Sequence, residues 1–295
     1  AAALLRRMHQ APWTVAYTGT RRVEQSWKVD NATYTTIYRE EVSADGNGRY
    51  AIDPLDLIAP QVSTMELQVF NATQKAREGF LYRYRDFHVQ DEARFARYYT
   101  AAATGVVRQV AGRSCDELIV QRRSNAPWTY VLAVDTQTGL VLSCRQELPN
   151  GTPVGSMEFE SVDFQADLSQ KLWHQASNEE LALARDSRAQ QQLGFAPVLP
   201  NTDGGSFTLI ESNKVTSPDP SGAGELTWAK YTLSDGVEVV FVLHGGALVG
   251  SDDVVRVSPS VGPWNHVEGT LHGERVMGMG RVSVDELLDL IASAF

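Results

Sequence analysis

Three stretches carry residue types that could do chemistry. His244-Gly245-Gly246 has the look of an esterase oxyanion segment, in which backbone N–H groups hold a developing negative charge. That chemistry needs a serine on a G-x-S-x-G elbow, and the sequence has no such motif, so a strand end with a glycine turn is the plainer reading. Asp45-Gly46-Asn47-Gly48-Arg49-Tyr50 begins like a calcium loop, but Arg49 stands where a ligand is required and Tyr50 where glycine is required. It reads as a tight turn instead. The six histidines are scattered, with no i, i+4 pair on a predicted helix, so no zinc site is expected. There is no H-E-x-x-H and no Walker loop, and no two carboxylates are forced together as a glycosidase would need. The sequons at Asn31, Asn71 and Asn150 matter only in a secreted eukaryotic chain. The sequence therefore reads as a binding protein, not an enzyme, with no catalytic residue, no metal and no cofactor.

The bulk properties agree with that. Hydrophobic residues make up 43 % and charged residues 21 % of 295, enough for a large core or two ordinary domains. A net charge of −10 argues against nucleic acid as a partner. The densest basic stretch, Arg77 to Arg97, is broken by Glu78, Asp86, Asp91 and Glu92, and reads as a solvated sheet face. No apolar run reaches the ~18 residues of a membrane helix.

The elements that would position a binding site centre on a hairpin, Trp128 to Leu148. Two β-branched and aromatic runs flank the turn Thr136-Gln137-Thr138-Gly139. Trp128, Tyr130, Leu132 and Val134 share one face while Val131 and Ala133 take the other, so both faces are apolar and both need cover. If Cys115 to Arg122 is the neighbouring strand, Cys115 falls near Asp135 and Cys144 near Tyr130. That separation exceeds the ~7 Å disulfide limit and favours free thiols.

Before this hairpin, the pattern predicts a helix over 1–10 ended by Pro12, and strands over 13–24, 27–29 and 33–42. It then predicts a loop or short helix over 53–62, strands over 65–70 and 79–87, and a helix over 91–102. Strands over 106–110 and 115–122 lead into the hairpin, and 156–164 closes the set. The expected fold is α+β: an N-terminal unclosed antiparallel barrel (residues 1–165) covered by helices, a helical linker (166–192), and a smaller α+β domain (193–295). In that last domain, strands are expected over 206–214, 225–233, 237–243, 264–271 and 274–279. Ser283 and Glu286 form a capping box for a terminal helix.

The first 165 residues are rich in aromatics. They make either an ordinary core or an apolar cavity able to hold an acyl chain or an aromatic ligand. Strand alternation places Trp13, Tyr17, Phe80, Tyr82, Tyr84, Trp128 and Tyr130 on its lining.

The stretch Ala111-Gly-Arg-Ser-Cys115 to Arg122, followed by Trp128-Thr-Tyr130 to Asp135 and Thr136-Gln-Thr-Gly139-Leu140, resembles the MucB/RseB family. Leu4-Leu5-Arg6-Arg7-Met8 running into Val15-Ala-Tyr17-Thr-Gly19 is similar to that family's opening. Ser234-Asp235-Gly236 with Val237 to Leu243, and Gly273 to Gly280 with the last helix, are similar to its second domain. The stretch Arg39 to Arg77 matches least. The resemblance implies a lipoprotein-carrier-like half-barrel beside a small second domain. It implies a periplasmic or other extracytoplasmic place in a bacterial envelope, and regulation of an extracytoplasmic sigma factor. The implied partner is the extracytoplasmic part of a membrane anti-sigma factor, shielded from proteolysis until a lipid or misplaced envelope protein relieves it. A lipid or lipoprotein carrier without a regulatory partner is the alternative, and self-association is left open.

Overall fold

A computed structural model describes residues 2–29, 32–76, 85–123, 128–173, 193–196, 205–218, 225–247, 253–261 and 264–294. The chain divides into two compact units, Ala1–Ala176 and Ser177–Phe295.

In the N-terminal unit the order is α1 (Ala2–Thr14), β1 (Ala16–Val29), β2 (Ala32–Asp45), β3 (Tyr50–Ala59), α2 (Thr64–Ala76), α3 (Glu92–Tyr98), β4 (Tyr99–Val110), β5 (Arg113–Arg122), β6 (Thr129–Asp135), β7 (Val141–Glu147) and β8 (Pro153–Asp163). The eight strands form one antiparallel sheet in the order β3-β2-β1-β8-β7-β6-β5-β4. The last strand returns to pair with the first, Val23 opposite Met157, so β3 and β4 remain edges and the sheet is not closed. One face carries the core: Tyr17, Val23, Tyr38, Val42, Ile52, Leu142, Met157 and Phe159 pack together. The other carries ion pairs such as Arg39 with Asp56 and Glu160, and Arg108 with Glu158. Every residue from Tyr130 to Asp135 is buried, as a strand with two apolar faces requires.

Two of the hairpins have a local cause in an aspartate. At Asp45 the carboxylate accepts from the backbone N–H of Asn47 (2.8 Å) and Arg49 (2.9 Å) and from Arg49 Nε (2.7 Å). Both of its oxygens are thus used to close the β2–β3 turn. At Asp135 the carboxylate accepts from the N–H of Gln137 (2.9 Å) and Thr138 (2.7 Å), and Arg113 Nε donates to it at 2.7 Å.

Several elements differ from the sequence reading. Helix α1 runs through Pro12 to Thr14; Val15 N–H still donates to Ala11 O, so the proline costs one bond inside the last turn and does not end the helix there. Residues 53–59 continue β3 as an edge strand, where Pro54 loses no ladder bond that the sheet needs. Residues 64–76 are a helix, capped by Ser63, whose N–H and hydroxyl donate to the Glu66 carboxylate at 2.9 and 2.7 Å. Helix α3 stops at Tyr98, and Tyr99 opens β4. Cys115 and Cys144 are not in a disulfide; Cys115 stands opposite Asp135, while Cys144 stands opposite Leu132, not Tyr130.

The C-terminal unit is a six-stranded antiparallel sheet, order β12-β13-β14-β11-β10-β9, with one helix. Its elements are β9 (Thr208–Pro218), β10 (Glu225–Ser234), β11 (Val239–Ala247), β12 (Val254–Val261), β13 (Trp264–Leu271), β14 (Glu274–Gly280) and α4 (Val284–Ala294). Strand β12 has no counterpart in the sequence reading. Ser283 Oγ accepts from Glu286 N–H at 3.2 Å and starts α4. The helix buries Leu287 and Ile291 against the sheet, and Gly278 makes room: a Cβ there would lie 2.5 Å from Ile291 Cδ1. Most of the expected linker, 174–192, lies outside the described residues.

Candidate functional site

The covered face of the N-terminal sheet carries the apolar core of that unit. Its cover includes α1, the strap Arg85–Val89 and α2, whose Phe70 lies edge-on to Tyr38 at 5.3 Å. Met8 and Ala11 point inward from α1, and His9 Nδ1 sits 2.7 Å from Val89 O, tying helix to strap. Arg7 Nη1 donates to Thr136 O in the β6–β7 turn. Gly139 in that turn has φ +78°, and a Cβ on it would lie 2.6 Å from Arg7 Cβ and 2.7 Å from Arg7 C. Gly139→Ala is therefore expected to combine left-handed strain with a backbone clash. Chemical denaturation should show a loss of about 1–3 kcal/mol, with earlier proteolysis of α1.

Beneath the strap lies a fully buried cluster of four charges. Arg21 on β1 stands directly opposite Glu40 on β2, and its Nε donates to Glu40 Oε1 at 2.7 Å. Arg21 Nη1 donates to Asp86 Oδ2 at 2.7 Å. From the strap, Arg85 reaches Glu40 Oε1 (2.5 Å) and Oε2 (3.0 Å), Tyr38 Oη (2.9 Å) and Asp86 Oδ1 (3.0 Å). The four side chains are between 0 and 8 % exposed. Two cations and two anions cancel, so the cluster is neutral as a unit. Burial works to raise the carboxyl of Asp86, but Arg21 and Arg85 outweigh it and bring it to about 2. Burial likewise opposes the ionised Glu40, and the same two arginines hold it below the usual carboxylate range. Burial pushes the Tyr38 phenol up to about 12. Such a cluster orients the strap more than it stabilises the fold, because desolvation offsets much of the attraction.

The seven predicted lining residues fare unequally. Tyr17 is buried, edge-on to Phe159 at 5.9 Å. Tyr130 is buried, edge-on to Phe87 of the strap at 5.0 Å. Trp128 is buried just before β6. Trp13 differs: because α1 continues past Pro12, it lies in the helix's last turn, 59 % exposed, with its ring against Gly48. Phe80, Tyr82 and Tyr84 lie outside the described residues. The cavity that Tyr17 helps to line has a volume of about 30 Å³; Met8, Arg21, Phe87, Leu140 and Phe159 are also in its wall. Sequence reasoning missed the charged cluster. The signal was present, since Arg21 shares the alternation of Tyr17 and Val23, and Glu40 that of Tyr38 and Val42.

In the C-terminal unit, the glycines after His244 have packing reasons. A Cβ on Gly245 would meet the Trp228 ring at 2.8 Å, and one on Gly246 the Phe195 ring at 2.9 Å. His244 is itself buried, edge-on to Phe195, with Nε2 2.6 Å from Glu274 Oε2. Burial lowers its pKa from 6.5, and Glu274 opposes this only in part. A lowered histidine favours the folded state at high pH. The C-terminal unit should therefore lose stability as pH falls below about 6.5, and His244→Gln should flatten that slope in urea melts at pH 5 to 8. No group of His, Cys, Asp and Glu among the described residues is arranged to hold a metal ion.

An open antiparallel sheet roofed by a helix and a strap, followed by a second sheet with a terminal helix, defines a two-unit α+β protein of the unclosed-barrel kind. Residues 60–177 match the MucB/RseB N-terminal domain. That match spans about two fifths of the chain and carries its likeness to the MucB/RseB family. Comparison with curated proteins returns no relative. Among solved structures, the MucA/MucB complex of Pseudomonas aeruginosa is similar at 18 % identity and TM-score 0.55, covering 98 % of this chain and 96 % of that one. MucB in complex with MucA(peri) gives 16 % identity, TM-score 0.57 and the same coverage. MucB alone gives 18 % identity and TM-score 0.55, over 99 % and 96 %. At these identities the likeness concerns the fold.

Proposed function

We propose that this chain is a regulatory binding protein of the bacterial periplasm. Its partner is the extracytoplasmic part of a membrane anti-sigma factor, which it shields from proteolysis. The observation that carries this reading is coverage. Both units are matched over 98 % of the chain to MucB structures, two of them solved with MucA, and a carrier needs no second unit. Fold alone never fixes function, so the family domain at 60–177 is the second support.

An apolar ligand completes the reading. It would act on the roofed face of the N-terminal unit, and would relieve shielding only if it binds the partner-free state better than the partner-bound one. The cavity of about 30 Å³ is far below the volume of an acyl chain, so entry requires α1 or the strap to move. The carrier reading, by contrast, predicts ligand release to an acceptor without any partner complex.

The test is limited proteolysis of the anti-sigma factor's periplasmic segment, with and without the purified chain. The expected result is protection at a one-to-one ratio. Equal cleavage in both samples, with the chain folded, would overturn the proposal.

A further inference from the structure

We infer that Asn47–Gly48, in the β2–β3 turn, is a self-modifying site at which the Gly48 nitrogen closes on the Asn47 carboxamide and position 47 becomes an aspartyl or isoaspartyl residue. The sequence holds two Asn–Gly pairs, Asn47–Gly48 and Asn150–Gly151, and both asparagines are exposed. An asparagine before glycine is open to this attack because no side chain shields the glycine nitrogen. The fold treats the two pairs differently. Gly151 N–H donates to Leu148 O at 2.8 Å, and Asn150 Oδ1 accepts from Thr152 N–H at 3.0 Å. The attacking nitrogen and the carboxamide it must reach are thus both held. Gly48 N–H has no acceptor among the described residues. The Asn47 carboxamide is tied only through Nδ2, which donates to Asp45 O at 3.2 Å, and that nitrogen is the one that leaves.

The step balances with water as the sole co-reactant. Gly48 N gives up its proton and bonds to Asn47 Cγ; the Cγ–Nδ2 bond breaks, and Nδ2 departs as ammonia. Water then opens the cyclic imide. Opening at the side-chain carbonyl gives an ordinary aspartate. Opening at the main-chain carbonyl routes the backbone through Cγ and lengthens it by one methylene, as isoaspartate. Either product adds a carboxylate two residues from Asp45, whose own carboxylate closes the turn by accepting from the N–H groups of Asn47 and Arg49. The effect reaches α1. The Trp13 ring in its last turn lies against Gly48, where a Cβ would be 2.5 Å from Cζ3, just as Arg7 lies against Gly139. Helix α1 is therefore seated on two hairpin turns, and the modification loosens one of them.

The test is peptide mapping of the full chain after prolonged incubation in mildly alkaline buffer, folded and in urea. Trypsin puts the two pairs on separate peptides, Glu40–Arg49 and Gln146–Lys171. Mass spectrometry then reads the replacement of NH2 by OH in each. Two hydrogen bonds must break before Asn150 reacts, so Asn47 should convert about tenfold faster or more in the folded chain. In urea the two rates should converge. Asn47→Gln should abolish the mass change in the first peptide and leave the second unaltered. Equal rates in the folded chain, faster conversion at Asn150, no conversion of Asn47 in the folded chain, or the same difference in urea would each overturn the inference. Converted protein, separated by its added negative charge, should exchange amide hydrogens faster in the last turn of α1 while β6 is unchanged. Unchanged exchange in that turn would overturn the coupling to α1.

Discussion

Asp86→Asn is expected to destabilise the N-terminal unit by roughly 3–5 kcal/mol, the usual result of removing one partner from a buried ion pair. The amide keeps the shape of the carboxylate, so packing is preserved and the charge balance alone is broken. Arg21 and Arg85 would then share Glu40 as their only buried counter-ion among the described residues. The two strap bonds to Asp86 would weaken together, and Phe87, which packs on Tyr130, follows directly in the chain. Urea denaturation read through tyrosine and tryptophan fluorescence checks the loss. The pH dependence gives an independent signature. Asp86 is held at about 2, below its ordinary 3.8, so its contribution is complete above about pH 4 and fades as pH falls towards 2. The unmodified chain should lose stability across that window more steeply than the variant. Hydrogen exchange at residues 85–89 should rise in the variant while β6 stays protected.

Asp135→Ala should cost about 3 kcal/mol or more, since it removes several bonds to one buried carboxylate at once. Asp135 is 0 % exposed. It accepts from two backbone N–H groups and from the Thr138 hydroxyl at 3.0 Å, and Arg113 donates to it. Burial opposes its charged form, and these donors overcome that to keep its pKa low. Its loss would loosen the β6–β7 turn and, through Thr136 and Gly139, the seat of α1. Asp135→Asn keeps an acceptor for the turn but not the ion pair with Arg113, so its stability should fall between the two. Thermal melts of the three proteins check that order.

What the sequence discloses of this fold depends on how far apart the deciding residues are. The β6–β7 hairpin is legible because its alternation and its turn are contiguous, and the pairing of Cys115 with Asp135 follows from it. The pairing of Cys144 slips because the register shifts between Ala133 and Val134, which alternation does not reveal. The terminal helix is legible from Ser283 and Glu286. The same spacing, Ser63 and Glu66, announces α2, but the β-branched and aromatic residues after it invite a strand reading. Pro54 hides β3 because only the finished sheet shows that it lies on an edge.

The site divides in the same way. Period-two patterning places Tyr17 and Tyr130 on buried sides of their strands, while Trp13 falls in the last turn of α1 because the helix continues through Pro12. The charged cluster joins residues 21, 40, 85 and 86. Its strand half could be seen once β1 and β2 are paired, as Arg21 and Glu40 then face each other on the apolar side. Its strap half needs the tertiary fold.

The most direct test of the account is quantitative capture from the source organism's envelope fraction. The tagged chain is the bait, and bound protein and bound lipid are both measured by mass spectrometry. The account predicts one single-pass anti-sigma factor in stoichiometric amount. Diverse lipoproteins or acyl lipids with no such partner would contradict it and leave the carrier reading in its place.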